Sequence, residues 1–222
     1  MAALVAVTGP SGVGEPPAAS SLPHLYPRLC WGAGKSSLAE ALVRGRPAGS
    51  AAIVHQDDFF TTTLDDPTDY GPDRPNLETP SGIDWGRLLA TIADAREGAG
   101  NGGLVVVEGF LLLAAGEDGS SALPLFDAIF FLEADEAECL RRRLARNPDR
   151  TPEQKKGLRG YWERCTWPGY LEHTAPVLAR LRAAGDERLS VIDATVGQDA
   201  VEAQLLAAAA AHPRLQHRPP RL

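Results

Sequence analysis

The residues best suited to chemistry sit in two glycine-rich pieces. Gly12-Val13-Gly14 follows the first apolar run, and Gly32-Ala33-Gly34-Lys35-Ser36-Ser37 leads into a helical pattern. Glu15–Trp31 separates them, so no contiguous G-x-x-x-x-G-K-[ST] exists. With that block set aside, Gly12-Val13-Gly14-Gly32-Ala33-Gly34-Lys35-Ser36 completes the motif between a strand and a helix, the context it requires. Such a loop presents successive backbone N–H groups at a helix N-terminus and closes around a phosphate. Lys35 would reach the β- and γ-oxygens of a nucleoside triphosphate, and Ser36 would offer its hydroxyl to Mg²⁺. ATP and Mg²⁺ are the small molecules this predicts. The plainer alternative is a Gly-rich helix start with no ligand.

The separating block carries Pro16, Pro17, Pro23 and Pro27 together with Tyr26, Cys30 and Trp31. Its composition is foreign to its surroundings, and it interrupts the least tolerant loop while leaving both flanks in frame. One reading makes it a translated intron or a gene-model error. The other makes it a surface insertion that loops out while the flanks still meet. Loop-closure entropy allows this, because each doubling of loop length costs only ~0.6 kcal/mol.

Acids and bases come next. Ile53-Val54-His55-Gln56-Asp57-Asp58-Phe59-Phe60 places two carboxylates just past the second apolar run. An aspartate there can take the proton of an acceptor hydroxyl or help hold Mg²⁺; paired acids equally serve as helix caps or turn residues. Glu108 follows three valines and precedes Gly109, which predicts a strand-end acid pointing into a site rather than into solvent. Arg141, Arg142, Arg143 and Arg146 form a basic run whose usual fate is a solvated face. Three successive helical residues cannot all face one ligand, whereas Arg142 and Arg146, four apart, share a face. Trp167 and Tyr170 flank Pro168 on a segment that a regular helix would not tolerate; they are core aromatics or a wall for a planar base. His55 reads as structural. Phe59 and Phe60 read as core residues, with Phe60 the candidate to line an acceptor pocket.

These groups need a scaffold that brings them together. Apolar runs at Leu4–Val7, Ala51–His55, Leu104–Glu108 and Ala128–Leu132, with a weaker one at Leu189–Ile192, are uninterrupted rather than alternating. That pattern suits a parallel sheet covered on both faces. Helical patterns fall between them at Ser36–Arg44, Ile83–Arg96, Ala134–Arg146, Pro176–Ala184 and Ala200–Ala211. Strand–helix alternation predicts an α/β sandwich, with ligands gathering beyond the carboxyl ends of its strands. Residues 61–79 and 98–103 read as loops. A single domain is expected over residues 1–211, with a disordered tail at 212–222.

Composition narrows the function. A net charge of −7 argues against a nucleic-acid surface, which needs clustered Lys and Arg. No apolar run approaches a membrane span. The opening Met-Ala-Ala-Leu-Val-Ala-Val lacks a basic stretch and reads as a buried strand rather than a leader. Cys30, Cys139 and Cys165 form no metal-binding pattern, so reduced thiols in a cytoplasmic protein are expected. The partner these features predict is a small molecule, bound by a monomer or homodimer.

Several blocks taken together resemble nicotinamide riboside kinases of the uridine-kinase-like P-loop family. They are His55-Gln56-Asp57-Asp58-Phe59-Phe60, Val105-Val106-Val107-Glu108-Gly109-Phe110-Leu111-Leu112, Cys139–Arg146 and Trp167-Pro168-Gly169-Tyr170, in the family's order and approximate spacing. The resemblance implies a P-loop NTPase fold: a five-stranded parallel sheet between helices, with a small lid. It implies ATP-dependent phosphorylation of the 5′-hydroxyl of nicotinamide riboside, with nicotinic acid riboside as a further acceptor, in NAD salvage. It implies Asp57 as the catalytic aspartate, Glu108 near Mg²⁺, and Arg142 and Arg146 as lid residues on ATP phosphates. Two positions depart from the pattern: Glu78 and Glu163 stand where the family has acceptor-binding aspartates, each one methylene longer. The alternatives are a uridine, cytidine or other small-metabolite kinase, and an inactive nucleotide-fold protein whose phosphate loop is broken.

Overall fold

The uninterrupted apolar runs become strands buried on both faces. β1 (Ala3–Thr8), β2 (Ala51–His55), β3 (Leu104–Gly109), β4 (Ala128–Glu133) and β5 (Leu189–Asp193) form one sheet in the order β2-β3-β1-β4-β5. Every pairing is parallel. The computed structural model describes residues 1–10, 33–62 and 70–216. Gly12, Val13, Gly14, Gly32, the expected insertion at 15–31 and Cys30 lie outside the described residues.

Seven α-helical segments join the described strands: α1 (Ala33–Val43), α2 (Trp85–Ala99), α3 (Glu136–Ala145), α4 (Pro152–Tyr161), the short α5 (Trp167–Gly169), α6 (Ala175–Ala183) and α7 (Gln198–Ala211). The pleat sends alternate strand residues to opposite faces. Leu4, Val105, Val107 and Phe131 pack with Leu88 and Ile92 of α2 and Leu178 of α6. Val5, Val7, Val106 and Phe130 pack with Leu38 of α1, Cys139 of α3 and Leu205 of α7. Two apolar layers therefore enclose the sheet, which is the α/β sandwich expected from the strand–helix alternation. Cys139 and Cys165 are free and buried, as expected of reduced thiols. No helix among the described residues is long and apolar enough to cross a membrane.

Four expectations change. Helix α4 had no place in the sequence reading, although Thr151-Pro152-Glu153-Gln154 forms a capping box with proline at the first turn. Pro168 does not break the helix. From Pro152 to Ala183 the backbone stays helical, with π turns at Trp162–Thr166 and Tyr170–Thr174. The Trp167 N–H bonds to the Trp162 carbonyl, and that of Ala175 to Tyr170. These wider turns lie just before Pro168 and Pro176 and accommodate rings that would crowd a regular helix. The expected disordered tail starts too early. His212 is buried with its ring edge-on to Phe130, and the N–H groups of Leu215 and Gln216 bond to its carbonyl. The loop expected at 98–103 also begins late, since Gly98 and Ala99 still belong to α2.

Candidate functional site

Parallel pairing brings the carboxyl ends of β1, β2 and β3 to one edge, with Glu108 in register with Val7 on one side and His55 on the other. Helix α1 starts at Ala33, so Lys35 and Ser36 stand in its first turn. Ser36 Oγ donates to Glu108 Oε1 at 2.9 Å, and His55 Nδ1 lies 2.7 Å from the same oxygen. Ser37 follows, half-buried.

Lys35 is 2 % exposed, and its Nζ has no hydrogen-bond partner among the described residues. Burial lowers its pKa below the ordinary lysine range; Glu108 and then Asp57 pull it back up, and Arg143 adds to the lowering. Lys35, Glu108, Asp57 and Arg143 thus share one electrostatic neighbourhood. A lysine at a helix start whose Nζ has no hydrogen-bond partner among the described residues suits a phosphate. The Ser36 hydroxyl and Glu108 carboxylate suit Mg²⁺, which takes one or two protein oxygens and keeps several waters. Among the described residues, no three His, Cys, Asp or Glu gather into a dedicated metal cage.

Asp57 is positioned by a residue to which the sequence reading gave no role. Gln56 is fully buried, and its Oε1 accepts from the Phe110 and Leu111 N–H groups at 3.1 and 2.9 Å. This fastens the 3₁₀ turn Gln56–Phe59 to the exit of β3, and Asp57 rides on that turn. Gly109 is required here because a Cβ would lie 2.5 Å from Gln56 Oε1. The signal in the sequence was a polar residue directly after a buried strand, which must find a partner. Phe60 is half-buried, tilted against Phe110 with ring centroids 6.2 Å apart.

Glu78 is buried at the same end of the sheet. Its Oε1 accepts from Thr166 Oγ1 at 3.0 Å and lies 3.8 Å from Arg143 Nη2. Burial raises its pKa above the usual carboxylate range, against the opposing pull of Arg143 and Thr166. Glu163, in contrast, is exposed, and no interaction among the described residues links it to Lys35, Asp57 or Glu108. Thr166, one helical turn further on, is the residue that meets Glu78.

The arginines are arranged differently from the expected Arg142–Arg146 pair. Arg142 and Arg143 both turn inward and are buried, while Arg141 is exposed on Glu138. Arg142 is held by Glu138 and donates to the Val196 carbonyl at 3.3 Å. Arg143, set aside in the sequence reading, is the one close to Lys35 and Glu78. Neighbours 100° apart can both face inward when a helix is covered over a wide arc. Arg146 is half-buried at the end of α3, its N–H bonded to the Arg142 carbonyl.

Trp167 and Tyr170 belong to an aromatic ladder. Trp162 stacks on Trp167 at 5.9 Å, and Trp167 meets Tyr170 at 4.9 Å. Tyr170 packs against one core layer and Trp167 against the other. Both rings pack on the core and are half-buried.

No family model matches the chain, and no curated protein does. Among solved structures, it is similar to a gluconokinase from Sinorhizobium meliloti 1021, at 19% identity over 93% of this chain and 90% of that one, with a TM-score of 0.47. It is also similar to a protein assigned as a fructose transport system kinase from Silicibacter sp. TM1040, at 18% identity over 91% and 85% of the two chains, with a TM-score of 0.42.

Proposed function

We propose that the chain is an ATP-dependent kinase that phosphorylates a hydroxyl of a small metabolite, with nicotinamide riboside as the acceptor. The observation that carries the reading is the Ser36–Glu108 hydrogen bond beside buried Lys35, with Asp57 in the same electrostatic neighbourhood. The choice of acceptor rests on the resemblance of the His55–Phe60 and Val105–Leu112 blocks to nicotinamide riboside kinases.

In this reading Lys35 neutralises charge on the transferring phosphoryl group, and Asp57 orients the acceptor hydroxyl and takes its proton. Mg²⁺, held through Ser36 and Glu108, would supply further charge neutralisation on the phosphates. Arg143 lies next to Lys35 and is suited to add positive charge at the phosphates, while Glu78 is suited to meet acceptor hydroxyls. The site offers transfer in one displacement, without a phosphoenzyme. Cys139, which shares the electrostatic neighbourhood of Lys35, is buried, and burial pushes its thiol up to about 12, so it stays protonated.

The test is ADP release with a panel of acceptors: nicotinamide riboside, nicotinic acid riboside, uridine, cytidine, gluconate and fructose. The riboside should be the preferred substrate. Lys35→Ala and Asp57→Ala should each lower turnover by about 100-fold or more, with ATP affinity hurt mainly by the first. Near-normal turnover of Asp57→Ala would remove it as the base. One observation favours a second reading, an inactive binding protein: Glu15–Trp31 splits the phosphate loop in sequence. Micromolar ATP binding by the full chain argues against it, and absent binding supports it.

A further inference from the structure

We infer that His55 is a positioning residue for cation binding, acting through Glu108 on Ser36; the inference rests on the kinase reading above. His55 is the last residue of β2 and sits directly across from Glu108 of β3. Both side chains are largely withdrawn from solvent, at 19% and 8% exposure. His55 Nδ1 and Ser36 Oγ approach the same carboxylate oxygen, at 2.7 and 2.9 Å.

The donor inventory fixes the direction of each bond. An ionised carboxylate only accepts, so both neighbours must donate, and Nδ1 of His55 must carry a hydrogen. A serine hydroxyl has one hydrogen and two lone pairs. Once Ser36 has given its hydrogen to Glu108, only lone pairs remain, which is what a cation needs from it. Glu108 therefore sets the polarity of the Ser36 hydroxyl, and His55 holds Glu108 in the rotamer that does so. The backbone supports this from behind: β2 pairs with β3 up to His55, and Gln56, the next residue, is tied to Phe110 and Leu111. Groups that orient a metal ligand without touching the metal commonly change metal affinity by about 10–100-fold when removed.

The probe is Mn²⁺ binding to the full chain in the presence of ATP, followed by electron paramagnetic resonance, with ATP binding in EDTA measured alongside. His55→Ala should weaken Mn²⁺ by about tenfold while leaving metal-free ATP binding unchanged. His55→Asn, whose amide N–H can replace the Nδ1 donor, should recover most of the loss. A purely structural role would lower both kinds of binding together. Nitrogen-15 spectra of the wild-type imidazole give an answer that needs no variant: Nδ1 should be protonated. Unchanged Mn²⁺ affinity in His55→Ala, or a bare Nδ1, overturns the inference alone. Failure of the wild-type chain to bind Mn²⁺ with ATP overturns the kinase reading and this inference with it.

Discussion

At the scale of single residues, the site is built from groups that destabilise the ligand-free fold. The Lys35 Nζ is buried with no hydrogen-bond partner among the described residues, and burial is the largest cause of its lowered pKa. A folded-state value below the unfolded one means that the folded state holds this proton less tightly. The cost is present at neutral pH and disappears as pH rises towards the ordinary lysine range. Lys35→Met should therefore raise the Tm of the ligand-free protein while abolishing the shift that ATP produces; calorimetry with and without nucleotide reads both. Glu78 runs the other way with pH. Its folded value is raised, so its favourable contribution is present in acid and is lost as pH climbs from the unfolded carboxylate range through the folded value. Such strained ionisable groups, gathered at one end of the sheet, are the usual mark of a working site.

At the scale of elements, close approaches rather than propensities decide the layout. The helical run that begins at Pro152 crosses the Glu78 segment at Gly169, where an added Cβ would lie 2.4 Å from the Glu78 carbonyl oxygen. That contact is with backbone, so a side chain there must push the two segments apart. Gly169→Ala should lower stability by about 1–3 kcal/mol, as overpacking does, and should weaken acceptor binding more than ATP binding. Urea unfolding and separate KM values for the two substrates check this. The π turns around Pro168 make the crossing possible by keeping the helical path continuous through a proline. The same continuity stacks Trp162, Trp167 and Tyr170 into a ladder that spans both core layers.

At the scale of the whole molecule, the sheet is closed on both faces, and the chain stays packed past the last helix. His212 covers Phe130 of the central core and is itself 5% exposed. A chain ending at Ala211 should therefore melt at a lower temperature than the full chain, because Phe130 loses its cover. The loss should be about 1–3 kcal/mol, the scale for uncovering one large apolar contact. An unchanged Tm would show that the packing of His212 on Phe130 adds nothing to stability. Helix α3 adds a second long-range tie. Its Cys139 enters the core, Arg142 reaches Val196, and Arg143 reaches Glu78, so one short helix joins the last strand–helix turn to the site.

The sequence alone determined the sheet, because five uninterrupted apolar runs leave few ways to bury strands on both faces, and parallel layering is the commonest. It also marked Lys35, Ser36, Asp57 and Glu108, because strand ends and helix starts are where backbone polarity collects. Other features depended on contacts between residues far apart in the chain. Gln56 matters only because β3 ends beside it, and Arg143 approaches Lys35 only because of how α3 lies on the core. Glu78 finds Thr166, Gly169 and Arg143 only once segments far apart in the chain have packed together. Local pattern fixes which residues are apolar and where helices start; which polar groups meet depends on packing, and packing is not written in any one segment.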